Sequence, residues 1–213
     1  MTLTIHGWAF SPHVRAARIA AAEKGVAAIH VLLDPGALAA AGRSFAPFGR
    51  VPVLEHGALR LAETQAILRY IDEAFPGPAL QPPDAAARAE ADMAALAASA
   101  YFYPSGIMGV FFNEAYVAAN GGTPDRAAVV EAAGRATPYL AFLEARLAAA
   151  PFLGGETFSL ADAAVGAQID VFAKAPTGRS VIDRHAAIDG WHRALLARPA
   201  FVATAAPIPR FGL

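Results

Sequence analysis

Three short stretches carry side chains that could do chemistry, and all lie in the first third of the chain. Ser11-Pro12 reads as a helix opening, because serine is a good N-cap and proline is tolerated at the first helical position. The plain reading of Ser11 is that cap. A hydroxyl has one donor and two acceptor lone pairs, so Oγ can accept from a first-turn amide and still donate its proton to an anion. Glu63-Thr64 lies where a strand pattern ends and a helix pattern begins. Free amides and a hydroxyl at a helix start form a ready anion site, while a simple cap by Thr64 needs no ligand. Arg50-Val51-Pro52 lies between them: a loop arginine is either solvated or paired with a carboxylate. The base rate makes Val51-Pro52 trans, since only about 5–6% of bonds before proline are cis.

Composition narrows the chemistry further. There is no cysteine, so no disulfide, no thiolate of the chain's own and no cysteine-ligated metal. The six histidines are scattered without metal-binding spacing, and no metal is expected. His13 reads as a surface residue of the first helical turn, with assistance to Ser11 as the alternative. Formal net charge is −1 with no Lys/Arg run, which gives nucleic-acid binding no electrostatic support. Hydrophobic residues make up 56% of the chain, but much of the excess is alanine and reads as helix. The uncharged stretch from Met93 to Asn113 is long enough to span a bilayer. It contains Pro104-Ser105-Gly106 and is flanked by Asp92 and Glu114, so a buried core helix with a bend is the expectation. No secretory signal is visible from Met1 to Ser11, and a cytoplasmic protein without membrane or nucleic-acid partners follows.

The elements that must position these residues fall into two halves. Thr2 to His6 alternates polar and apolar like a half-buried strand. A helix follows Ser11, with Val14, Ala17, Arg18 and Ala21 on one face, and ends near Lys24-Gly25. Ala28 to Leu33 is an apolar run, expected as a buried strand. From Asp34 to Gly49 the signals are weak, with room for one short helix. Val53-Leu54-Glu55 and Leu59-Arg60-Leu61 flank a hairpin at His56-Gly57, and Ile67, Tyr70, Ile71 and Ala74 mark another helix. Pro76-Gly77-Pro78 and Pro82-Pro83 make a stiff linker, and everything beyond reads as helix. The expected fold class is α+β: a βαβ-ββα domain at 1–76, a linker at 77–84 and an all-helical domain at 85–213. Ser159-Leu160-Ala161-Asp162 fits a capping box, with Phe158 placed to staple against the first turn.

These residues also carry a family resemblance. Phe48-Gly49-Arg50-Val51-Pro52-Val53-Leu54, followed by Leu61-Ala62-Glu63-Thr64-Gln65-Ala66-Ile67 and Tyr70-Ile71, resembles the glutathione-binding half of cytosolic glutathione transferases. Ser11-Pro12-His13-Val14-Arg15, ending in Glu23-Lys24-Gly25, looks like the first helix of the serine-type, bacterial members. Leu153-Gly154-Gly155-Glu156-Thr157-Phe158-Ser159-Leu160-Ala161-Asp162 looks like the family's C-terminal signature, and Trp191 with Arg198-Pro199-Ala200-Phe201 matches its closing helix. The resemblance covers nearly the whole chain.

It implies a thioredoxin-like first domain that binds glutathione as co-substrate, a helical domain that binds a small hydrophobic electrophile, and a homodimer working in detoxification. The family sorts its members by whether tyrosine, serine or cysteine steadies the glutathione thiolate. Here the first tyrosine is Tyr70, cysteine is absent, and the serines before the linker are Ser11 and Ser44, which leaves Ser11. The resemblance further implies a cis Val51-Pro52 bond, with Val51 pairing with glutathione's own backbone like an added strand. Thr64 would hold the γ-glutamyl carboxylate, Glu63 would face the ammonium, and Arg50 would reach a carboxylate. Trp8, Phe10, Tyr103, Met108 and Phe112 fall where the electrophile pocket lies. One departure stands out: Gly36 to Gly42 offers no Lys or His for the glycine carboxylate, so either Arg43 or Arg50 substitutes or glutathione binds weakly. Two other functions remain open. One is a binder that turns over poorly. The other is an isomerase of the maleylacetoacetate type, whose Ser-Ser-Cys cluster this chain replaces with Ser11-Pro12-His13.

Overall fold

Alternation in Leu3–Gly7 buries Leu3 and Ile5 and turns Thr4 and His6 the other way, making this segment β1, a central strand. The computed structural model describes residues 2–210. β2 (Ala28–Leu32) pairs parallel with β1, while β3 (Val53–His56) lies antiparallel on its other side. β4 (Leu59–Leu61) pairs antiparallel with β3, giving the order β2-β1-β3-β4. The expected hairpin forms, with Gly57 at a φ of 62° supplying the left-handed turn residue.

β2 corrects one expectation. It is an edge strand, and Ile29 and Leu32 are 54% and 64% exposed. An apolar run is buried only where both faces of the sheet are covered. The weak segment after it is a full helix, α2 (Pro35–Phe45), capped by Asp34 through a 2.8 Å bond from the Ala37 amide and kinked at Gly42. α2 buries none of its residues, which is why its apolar pattern was faint. α1 (Pro12–Glu23) packs on α3 (Thr64–Ala74). Arg15, rather than Arg18, faces inward from α1.

The helical half begins with one continuous rod, Ala85–Ala119. It runs as α4 (Ala85–Ala97), a π-helical stretch (Ala98–Tyr116) and α5 (Val117–Ala119). Pro104 does not break it. The wider winding takes up the proline, and Ser105 Oγ donates to the carbonyls of Tyr101 and Phe102 at 2.9 and 3.2 Å. The rod is long and apolar enough to cross a membrane. Here Phe102 instead packs on Tyr139 of α6 (Arg126–Ala149) and Phe172 of α7 (Leu160–Ala173). The shorter α8 (Pro176–Ile182), α9 (Ala186–Leu196) and α10 (Pro199–Ala203) complete the bundle.

The start of α7 holds the capping box. Asp162 accepts from the Ser159 amide, the Leu153 amide and Trp191 Nε1 at 2.8–2.9 Å. Phe158 packs its ring on Phe152 and Phe201. Buried charge clasps the halves together. The Arg15 guanidinium pairs with Asp170 of α7 and donates to the Phe201 carbonyl at 3.1 Å. Lys24 Nζ bonds Asp72 at 2.8 Å and the linker carbonyl of Pro78 at 2.9 Å.

Candidate active site

Between the halves lie two adjoining cavities of about 520 and 350 Å³. They share a wall made of His13, Arg50, Val51, Ser99 and Tyr103. Gly7, at the end of β1, makes that wall possible. Its φ is 153°, and a Cβ there would collide with both Val14 of α1 and Val51. The Val51-Pro52 bond is cis.

The smaller cavity is the more polar of the two, and the start of α3 points into it. Thr64 is the first helical residue there; Glu63, not Thr64, stands at the cap position, with φ 69° and ψ 119°. Glu63 is the one non-glycine with positive φ among the described residues. Such strain persists only where surrounding structure or function holds it. No side chain caps this helix, so its first-turn amides stay available. Gln65 Nε2 is buried on the same wall without a hydrogen-bond partner. Free amides, the Thr64 hydroxyl and an orphaned amide nitrogen favour an anion, and Glu63 beside them favours a cation. An α-amino acid carries both charges.

The larger cavity is apolar. Trp8, Leu33, Pro35, Leu38, Pro104 and Met108 line it, with Arg50 and Tyr103 toward the shared wall. Phe10 and Phe112, expected there, are on neither wall. Phe10 is buried and stacks on Phe111 at 5.1 Å, and Phe112 meets Phe111 edge-on at 5.3 Å, beside Tyr116. Both pack on Phe111 instead, Phe10 from the turn before α1 and Phe112 from its own place on the rod.

Ser11 caps α1, its Oγ accepting from the Val14 amide at 3.4 Å. The hydroxyl proton has no acceptor among the described residues. Ser11 is half-buried between Trp8 and His13, which line the cleft, though it is not itself on either wall. His13 corrects the surface assignment: it lines both cavities and packs against the Tyr103 ring at 4.9 Å. Burial, reinforced by the positive charge of Arg50, lowers its pKa to about 4. Burial raises the Tyr103 phenol. Arg43 donates to the Pro47 carbonyl at 3.2 Å and lies off both walls, so it does not fill the missing-donor role. Arg50 makes no ion pair among the described residues and lines both cavities. Among the described residues no three metal-ligating side chains gather.

Sequence reasoning preferred a surface place for His13 and missed Gln65 and Ser99 as wall residues, along with the start of α2. The placement of His13 two residues after Ser11, in the same turn, and of Gln65 beside Thr64, was the available signal.

The comparisons agree with this geometry. Residues 5–79 match the family model "Glutathione S-transferase, N-terminal domain", and residues 62–194 match "Glutathione S-transferase, C-terminal domain". Glutathione S-transferase F14 of Arabidopsis thaliana is 34% identical over 163 residues, covering 74% of this chain and 63% of that protein. The match therefore spans slightly under two thirds of that relative's length. The apo structure of glutathione S-transferase III superposes with a TM-score of 0.84, at 30% identity over 98% of both chains. The theta class glutathione S-transferase of Xanthomonas axonopodis pv. citri, solved with glutathione bound, gives a TM-score of 0.80, with 29% identity over 95% of this chain and 96% of that one. With its mixed four-stranded sheet, uncapped α3 and cleft between the halves, this chain belongs to the glutathione S-transferase family.

Proposed function

We propose that the protein is a bacterial-type, serine-dependent glutathione transferase that conjugates glutathione to small hydrophobic electrophiles in the cytosol. The observation that carries this is the paired cavity, in which a polar compartment suited to an amino-acid end shares a wall with an apolar one. The γ-glutamyl carboxylate sits on the first-turn amides of α3 with Thr64 and Gln65, and Glu63 takes the ammonium. Val51 pairs with the tripeptide backbone. Arg50 takes the glycine carboxylate, since Arg43 is turned away. The thiol then lies near the start of α1. A free thiol has a pKa near 8.5, so little thiolate exists at neutral pH without help. Ser11 Oγ donates its unused proton to the sulfur while accepting from Val14, and the α1 dipole adds to the effect. The likeness to the glutathione-bound Xanthomonas enzyme supports the reading.

Glutathione titrated by calorimetry, alongside conjugation of chlorodinitrobenzene, tests it. Saturable binding with turnover is the expected result; no binding removes the reading. The stretch Gly36 to Gly42 of α2, without a Lys or His, favours one second reading, a module that binds glutathione and barely turns over. Thermal stabilisation by glutathione without conjugation would select it.

The proposal includes a homodimer and a domain division at 77–84. Met93, Leu96 and Tyr101 form an exposed apolar groove on the outer face of the long rod, 49–72% exposed. A monomeric mass by light scattering at micromolar concentration would contradict the dimer.

A further inference from the structure

We propose that His13 is a second contact of the glutathione sulfur, donating an imidazole N–H to the thiolate from the same helix turn that carries Ser11. This rests on the functional reading above, and four observations carry it. His13 lies on both cavity walls, at the border where a thiol held in the smaller cavity meets a molecule in the larger. Its ring is held against Tyr103 at 4.9 Å, so its orientation is fixed across the cleft rather than free in solvent. His6, His30, His56, His185 and His192 each have a ring nitrogen at hydrogen-bond distance from a protein oxygen. His13 has none among the described residues, and its nitrogens are not among the sealed, unpartnered atoms. Lastly, Arg50 shares the wall and makes no ion pair among the described residues, which leaves it free to hold a glutathione carboxylate beside the ring.

The chemistry follows from the state of the ring. Burial and Arg50 hold His13 near pKa 4, so it is neutral throughout the range in which a thiol ionises. A neutral imidazole has one N–H to give, and at this basicity it is a donor rather than a base. The thiol proton leaves to solvent, the sulfur keeps the electron pair, and His13 and Ser11 each direct a hydrogen at it. Arg50, from the loop before β3, is occupied by the glycine carboxylate and leaves the sulfur to His13 and Ser11. The other groups facing His13 are the Tyr103 phenol and the Ser99 hydroxyl from the rod, both neutral. The acid in reach is Glu63, on the wall of the smaller cavity.

The test is a pH titration of bound glutathione, followed by ultraviolet thiolate absorbance, in His13→Leu and His13→Asn, with affinity measured in parallel by calorimetry. Leucine keeps bulk against Tyr103 but removes the donor; asparagine keeps an N–H. In His13→Leu the thiol pKa should rise by about one pH unit, and conjugation near neutral pH should fall about tenfold, recovering at high pH. His13→Asn should restore most of the difference. If His13→Leu binds glutathione with an unmoved thiol pKa, the proposal is overturned and His13 only packs. If both variants lose the same rate with no change in titration, it is overturned equally. Failure of the unsubstituted protein to bind glutathione would instead remove the functional reading itself, and calorimetry reads that outcome separately.

Discussion

Glu63 occupies a backbone region that its side chain does not favour, directly beside the uncapped start of α3. If that strain serves to aim the carboxylate at an ammonium, Glu63→Ala should raise the glutathione KM about ten- to hundredfold, since a charged hydrogen bond contributes about 1.5–3 kcal/mol. Unchanged affinity by calorimetry would take Glu63 out of the site. His13 gives a second expectation at this scale. Its folded pKa of about 4 lies below the ordinary 6.5, so the unfolded chain binds the extra proton between those values. Its contribution to stability is complete above 6.5 and is lost as pH falls toward 4, at no more than about 1.4 kcal/mol per pH unit. Denaturant midpoints measured across that window should fall in the unsubstituted protein and fall less in His13→Asn. Ser11 was legible as a cap because cap chemistry is local, whereas Val51, Pro52, Glu63 and Thr64 drew their expected roles from the family resemblance. The placing of His13 and Gln65 on the cleft was not legible, because what surrounds them comes from elsewhere in the chain: Tyr103 for one, the cavity wall for the other.

At the scale of elements, two helix starts in this fold are built oppositely. α3 leaves its first turn open to the cleft, whereas α7 closes its own with Asp162, fully buried and holding two amides and the Trp191 indole. Burial pushes the Asp162 carboxyl up, and those donors pull it back. Asp162→Ala strands several buried donors at about 1–3 kcal/mol each, so chemical denaturation should show a loss of about 3 kcal/mol or more. Conjugation per folded molecule should hardly change. A variant as stable as the parent would contradict the structural role. The capping box was legible because its spacing is fixed by one helical turn. β2 was misread as buried because an apolar run reports β propensity and not which strand ends at the sheet edge. The single helix with a bend expected around Pro104 is a continuous rod, because π winding and the Ser105 hydroxyl absorb the proline.

At the scale of the whole molecule, the cleft exists only while the halves stay clasped. Burial opposes ionisation of Asp170. The His192 hydrogen bond and the charges of Lys174 and Arg15 outweigh it and hold the carboxyl well below its usual range. Arg15→Leu leaves that carboxylate buried without its guanidinium, and should cost about 3–5 kcal/mol by urea denaturation. The same pairing makes stability present at neutral pH and lost only in strong acid. The central claim concerns what the assembled cleft does to a thiol, and titrating bound glutathione in the unsubstituted protein and in Ser11→Ala tests it most directly. The thiol should ionise below about 8.5 in the former. In Ser11→Ala it should ionise about one to two pH units higher, with conjugation near neutral pH down about ten- to hundredfold and partly restored at high pH. A Ser11→Ala protein that melts lower, as loss of a cap costing about 1 kcal/mol predicts, yet keeps its thiol titration and its rate would show that the serine is only a cap.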